Sequence, residues 1–352
     1  MKAAVWYGKE DVRIENIPEP SVDNGMVKIK INACGICGSD LHEYKAGPFI
    51  IPVRTHPLTK RSLGPVVVGH EFAGEVVEVG EGVKNCKVGD RVTVNPLVYC
   101  GECHYCKMGQ YIMCTKLGTA GFACDGGFAE YGVFPEYGIY KLPDSVSYDM
   151  GCFIEPLAVA LHAVNRSHMK LGATVAVIGA GPIGLLVMQC CLATGASQVF
   201  VSEPIKARRE LAAKMGASAV FDPTQCDVGK ELSKYTNKLK ADCVFDCVGN
   251  QASFDTAVIV GGRRAVICIV GLALKPIQVP FLRLWGQEKE IVFSSGYNDE
   301  FPTCINYLAD GRVKVDELIT SKIDLADYVD KGVKELIYNG DKQIKILVNM
   351  LA

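Results

Sequence analysis

Four cysteines, Cys100, Cys103, Cys106 and Cys114, fall within fifteen residues at the spacing C-x2-C-x2-C-x7-C. Four thiolates so spaced can close a tetrahedral zinc site with no coordination position left open, which would make the site structural. The same residues also read as four buried or incidental thiols, or as an iron–sulfur site. Cluster motifs are spaced differently, however, and nothing else in the chain suggests electron-transfer chemistry. A second constellation is dispersed: Cys37 in GICGSDLHEY, His70 and Glu71 in VVVGHEFAGE, and Glu155 in CFIEPLAVALHA. Singly, each of these is more often structural than a ligand. Together, a thiolate, an imidazole and a carboxylate leave one position on zinc where an alcohol oxygen can bind and lose its proton, making its carbon a hydride donor.

A third motif is Gly179-Ala-Gly181-Pro182-Ile183-Gly184, which follows the apolar run Val175–Ile178 and opens the apolar stretch LLVMQCCLATG. GxGxxG alone is a weak signal; between a strand and a helix it is the turn of a dinucleotide fold. Gly179 permits the tight turn, Gly181 lets the backbone approach a pyrophosphate, and Gly184 lets the helix pack on the strand. The pyrophosphate would lie on the helix N-terminus, where unpaired N–H groups favour an anion. Glu203 follows at the end of the next apolar run, VFVSE, where a carboxylate accepts the ribose hydroxyls and repels a 2′-phosphate. NAD is therefore expected over NADP. Lys206, Arg208 and Arg209 close behind soften that preference, with Arg208 over the adenosine, or form an exposed helical turn.

The elements that carry these motifs change character along the chain. Up to about residue 150 the sequence reads as short strands bounded by Gly, Pro, Asn or Asp (VKIKINA, VVVGHEFAGEVVEVG, KVGDRVTVNP, FAEYGVFP), a barrel-like β pattern. Two inserts interrupt it, 45–65 and the cysteine lobe 99–114, and long inserts tend to be functional loops. From Thr174 onward β-branched runs alternate with helical segments, giving six strand candidates: ATVAVIGA, SQVFVSEP, ASAVFDP, ADCVFDCVG, AVICIVGLA and EIVFSSGY. That is the α/β pattern of a doubly wound parallel sheet. The ending QIKILVNM reads as a last strand returning to the first domain.

The 352 residues suit two domains, and a formal charge of −2 with no Lys/Arg run longer than a pair argues against nucleic acid or an anionic membrane. No signal peptide or membrane span is evident, because the long apolar stretches are broken by Gly and Pro. Sixteen cysteines without an export signal indicate a reducing, cytoplasmic setting in place of disulfides.

CGICGSDLHEY, GHEFAGEVVEVGEGV, the four-cysteine lobe, EPLAVALHAV and GAGPIG occur in an order that resembles the zinc-containing medium-chain dehydrogenases, in their butanediol and sorbitol branch. The resemblance spans essentially the whole chain. It implies an α/β protein with a GroES-like catalytic domain over 1–153, a Rossmann domain over 154–294, and a return to the catalytic domain over 295–352. It also implies two zinc ions per chain and a homodimer or homotetramer. Cys37 and His70 would hold the catalytic zinc, with Glu71 and Glu155 sharing the remaining protein ligand. Ser39 and His42 would form a proton relay, unless Ser39 only caps a turn and His42 is merely exposed. The coenzyme would also run along Val248, Val270, Gly271, Leu272, Ser294 and Ser295.

For substrate, the resemblance ranks acetoin and 2,3-butanediol, with R configuration, above polyols and L-threonine. Ser294-Ser295 stands where sorbitol-type members have Arg-Tyr, and Phe49, Ile50 and Ile51 are expected to make an apolar wall. Two further classes remain open: a non-catalytic zinc protein that senses redox state or binds nucleic acid, and a zinc-independent reductase.

Overall fold

In the computed structural model, which describes residues 1–350, the chain forms two compact units. The first comprises Met1–Glu155, Phe301–Ala309 and the segment from Val315 onward, and the second Pro156–Glu300 with Asp310–Lys314.

The first unit is built on the strand Met26–Gly35. Its alternating sequence turns Val27, Ile29 and Ile31 into the core, each with no exposed surface. The strand pairs antiparallel with Glu71–Val79 on one side and Lys345–Asn349 on the other, and also with Tyr131–Pro135. The rest of this sheet is Arg91–Val94 and Ile139–Lys141 beyond the first neighbour and Ile319–Asp324 beyond the second. Register sets the chemistry: Gly35 lies opposite Glu71 on one neighbour and opposite Leu347 on the other. Residues just past Gly35 and just before Leu347 are thereby brought beside Glu71. Helix α1 (Gly38–Ala46) starts where the central strand ends, with Cys37 as its N-cap, and helix α2 (Ile154–Arg166) carries Glu155 in its first turn. The core under this sheet contains Trp6, Phe72, Phe122, Phe128 and Tyr328.

The second unit holds six parallel strands in the order Ala219–Phe221, Gln198–Ser202, Thr174–Ile178, Ala241–Asp246, Gly261–Ile269, Glu290–Phe293. This is the 3-2-1-4-5-6 order of a dinucleotide fold, whose ligand crevice opens at the strand C-termini where the order reverses. Thr174–Ile178 runs into helix α3 (Pro182–Ala193), and helix α4 (Gln251–Val260) follows Ala241–Asp246 behind an Asn250–Ser253 capping box. All six runs read as strands in the sequence are strands here. No helix among the described residues is long and apolar enough to cross a membrane.

Candidate active site and coenzyme site

Cys37, His70 and Glu71 come together in the first unit, each offering a ligand atom, with these atoms all within 4.8 Å of one another. Cys37 is placed by the end of the central strand, Glu71 by the register opposite Gly35, and His70 by its position just before Glu71. Asp40 reaches two of the three. Its Oδ2 accepts the Cys37 backbone N–H at 2.9 Å, and its Oδ1 stands 3.5 Å from His70 Nδ1. That second approach is too poorly formed for a hydrogen bond, so Asp40 Oδ1 and His70 Nδ1 are both buried polar atoms without one.

The donor set fits a bound cation. Burial works against a charged His70, yet Asp40 and Cys37 beside it outweigh it and hold its pKa well above the usual imidazole range. With a cation on Nε2, the ring keeps its proton on Nδ1, where it faces Asp40; this carboxylate–histidine arrangement fixes the tautomer of a metal-binding imidazole.

Glu71 is less free than its neighbours. Its carboxylate is ion-paired with Lys345 Nζ, both side chains being buried. Burial pulls the Lys345 pKa down, but Glu71, Cys37 and Glu155 reverse this and hold it raised. The pair occupies the space over Gly35: a Cβ there would run into Glu71 Oε2 and lie 2.8 Å from Lys345 Cε. A side chain at this position would push the paired Glu71 and Lys345 ends aside. Glu155 is buried on α2 within electrostatic reach of Lys345, but does not belong to the three-residue cluster.

Ser39 Oγ lies 3.4 Å from His70 Nε2, and His42 is half-buried one helical turn beyond Ser39 on α1. The insert separates the three residues expected as a wall: Phe49 is 56% and Ile50 47% exposed, whereas Ile51, at 2%, belongs to the core.

The four lobe cysteines also converge within 4.8 Å. Cys100 Sγ is 3.5 Å from Cys114 Sγ and 4.0 Å from Cys106 Sγ. Four sulfurs tetrahedral about one zinc at about 2.3 Å would be about 3.8 Å apart, so the lobe has the size of a single-ion cage. Backbone donors favour thiolates at two of the four. The Cys106 and Thr115 N–H groups bring the Cys103 thiol down to about 6, and that of Glu102 lowers Cys100, while burial pushes Cys106 up to about 12.

In the second unit each glycine of the loop has its own reason. Gly179 adopts φ +93° with Val248 Cγ2 2.6 Å from where a Cβ would be. At Gly184 a Cβ would strike the Gly179 carbonyl. Gly181 faces open space at the N-cap of α3, with Pro182 and Ile183 beginning the helix. Glu203 is buried and braces this loop: Oε2 accepts from Ala180 N at 2.7 Å and Oε1 from Ile205 N at 2.9 Å. Carboxylate oxygens have lone pairs to spare, so ribose hydroxyls can still be accepted. Arg209 clamps the strand end, donating to the Glu203 and Pro204 carbonyls and pairing with Asp222 at 2.9 Å. Arg208 is half-buried beside it.

The sequence reading missed Asp246, which has no exposed surface. Its carboxylate accepts Val248 N, Gly249 N and the Ser253 hydroxyl at 3.0–3.1 Å, and its carbonyl accepts Val270 N and Gly271 N. One residue thus shapes both turns expected to line the coenzyme. Leu272 and Ser295 are exposed, and Ser294 has a buried hydroxyl without a hydrogen bond.

Residues 23–144 match the family described as alcohol dehydrogenase GroES-like domain, and residues 182–310 the zinc-binding dehydrogenase family. The chain is 41% identical to the (R,R)-butanediol dehydrogenase of Bacillus subtilis (strain 168), over 99% of both proteins. It is 34% identical to the sorbitol dehydrogenase of the same organism, covering 99% of this chain and 97% of that one. The crystal structure of 2R,3R-butanediol dehydrogenase from Bacillus subtilis superposes with a TM-score of 0.93 over 99% of both chains. With its GroES-like β unit and six-stranded Rossmann unit, the chain belongs to the zinc-dependent medium-chain alcohol dehydrogenases.

Proposed function

We propose that this protein interconverts 2,3-butanediol and acetoin with NAD(H), forming the R configuration. The observation that carries the proposal is the Cys37–His70–Glu71 cluster, with His70 and Glu71 buried, in a chain 41% identical over 99% of both proteins to an (R,R)-butanediol dehydrogenase. A zinc ion held there supplies a Lewis acid that favours ionisation of a secondary alcohol and polarises the corresponding ketone. Cys37 and His70 hold it, with Glu71 and Glu155 as alternative carboxylate ligands. Ser39, close to His70 Nε2, takes up the hydroxyl proton and passes it toward His42. In the second unit the loop 179–184 takes the pyrophosphate and Glu203 the ribose, which favours NAD. Val248, Val270, Gly271 and Leu272, on the turns shaped by Asp246, would line the coenzyme, with Ser294, Ser295 and Arg208 completing its site. The four-cysteine lobe holds a second, structural zinc.

We further propose residence in the cytoplasm as a homo-oligomer. Glu290–Phe293 ends its sheet without a further strand among the described residues, and Phe293 is 69% exposed, which supports association.

The test is the initial rate of NADH oxidation by zinc-loaded protein with racemic acetoin, beside fructose, with NADPH as the control coenzyme. Turnover with acetoin and NADH alone supports the proposal. Activity with fructose in place of acetoin selects polyol oxidation, the reading favoured by the 34% identical sorbitol dehydrogenase.

A further inference from the structure

Glu43 follows His42 on α1 and is 1% exposed. A carboxylate so deep must be met by donors. Its donors are successive backbone N–H groups of the insert. Oε1 accepts from Phe49 at 2.9 Å, from Ile50, and from Ile51 at 3.4 Å, and Oε2 accepts from Phe49 at 3.1 Å. One buried anion therefore gathers three consecutive peptide groups, and hydrogen bonds to a charged acceptor are the stronger kind. The arrangement is boxed in. Trp6 Nε1 donates to the Glu43 carbonyl at 3.3 Å, and a Cβ at Gly47 would collide with Glu43 Oε2.

The gathered segment is held between opposite demands. Ile51 is drawn into the core while Phe49 and Ile50 stay half exposed, so the peptides between them are fixed at a boundary. The position of that boundary follows from the helix. Ser39 and Glu43 are four residues apart on α1, hence on one face and about 6 Å apart along its axis. Ser39 Oγ is the atom 3.4 Å from His70 Nε2. The loop carrying Phe49 and Ile50 is therefore tied one helical turn beyond the residue that touches the donor cluster.

We infer that Glu43 is a specificity-determining positioning residue, whose carboxylate fixes the Phe49–Ile51 backbone as a rigid apolar ledge beside the Cys37–His70–Glu71 cluster. The ledge accepts the short alkyl end of a small ketone and rejects a polyhydroxylated chain, whose hydroxyls would be left without partners against Phe49 and Ile50. This rests on the reading of the cluster as a secondary-alcohol site. Because Glu43 acts through the loop, its removal changes which ketone is accepted more than how fast hydride moves.

The experiment uses the full, zinc-loaded chain. Glu43→Gln turns an amide N–H₂ toward peptide N–H donors, and losing one hydrogen bond to a charged group corresponds to about 10- to 100-fold in equilibrium. Amide hydrogen exchange at Phe49–Ile51 is expected to quicken by that factor. The KM for acetoin should rise about tenfold with kcat within about threefold, and the kcat/KM ratio of acetoin to fructose should fall. Phe49→Ala, which leaves the anchor intact at an exposed site, should lower that ratio without quickening exchange.

Unchanged exchange in Glu43→Gln would overturn the anchor. Faster exchange with an unchanged acetoin-to-fructose ratio would overturn the ledge. A wild-type enzyme silent on both ketones would instead overturn the substrate reading, and the ledge with it, while the exchange result would still judge the anchor.

Discussion

Lys345 and Glu71 form an ion pair in which the two side chains are 3% and 1% exposed, stacked over Gly35 at the end of the central strand. A buried pair of this kind adds little to stability compared with an apolar pair, but breaking it on one side strands a charge.

Lys345→Met is accordingly expected to destabilise the metal-free first unit by about 3–5 kcal/mol. Adding Glu71→Gln should recover more than half of the loss, since the orphaned carboxylate is then gone. Denaturant unfolding of the wild type, both single variants and the double variant closes the cycle. Strictly additive losses would mean that the two groups are not coupled.

The cysteine lobe makes a separate prediction. Metal analysis of wild-type protein should find two zinc ions per chain, and Cys103→Ser should reduce this to one. Coenzyme binding, measured by NADH fluorescence, should survive the substitution because the loop 179–184 belongs to the other unit. A wild-type count of one would remove either the lobe or the Cys37 cluster as a zinc site.

At Glu203 the two backbone hydrogen bonds change the usual expectation for coenzyme engineering. Glu203→Ser should weaken NADH and NADPH binding together, since Ala180 N and Ile205 N lose their acceptor and the glycine loop loses its brace. Each lost bond to a buried carboxylate is worth about 1.5–3 kcal/mol, enough to raise the NADH Kd at least tenfold. A purely ribose-binding Glu203 would instead raise the NADH Kd alone.

Lys289 gives the pH prediction. Its Nζ donates to the Val258 carbonyl at 2.6 Å, and burial together with Arg283 and Lys240 lowers its pKa to about 8. Between about pH 8 and 10.5 the unfolded chain keeps a proton that the folded chain has lost, so stability rises with pH in that window. Below it, the cost of a charged Lys289 is fully present. Arg283→Gln removes one of the repelling charges and should raise Tm most at pH 7, with the gain fading as the pH passes the Lys289 pKa. A gain that is the same at pH 7 and pH 10.5 would exclude the like-charge cluster as its source.

What could be read from the sequence was whatever a local pattern records. The six parallel strands follow from β-branched runs, and the glycine loop from its strand and helix context. Cys37, His70 and Glu71 each sit in a short motif with recognisable neighbours. Asp40 left a signal that went unused, because an acidic residue three positions after an N-cap is half of a capping box. Asp246 and Glu43 left almost none: each is an acceptor for backbone groups that only the tertiary fold brings near. Lys345 was invisible in another way, since a lysine in QIKILVNM reads as the solvent side of a strand, yet it is buried. The expected wall of Phe49, Ile50 and Ile51 is divided, with Ile51 in the core and the other two exposed, because loop residues do not share a face merely by being adjacent.

The strand Lys345–Asn349 has one further consequence. It lies beside Met26–Gly35 although some three hundred residues separate them in the chain, so the edge next to Gly35 and Ile36 stays open during synthesis until Lys345–Asn349 has emerged. Contacts of such long range close late. Until then Glu71 lacks the Lys345 partner that it has in the folded chain. The Glu71–Lys345 ion pair is therefore among the last contacts that the first unit can make as the chain is synthesised.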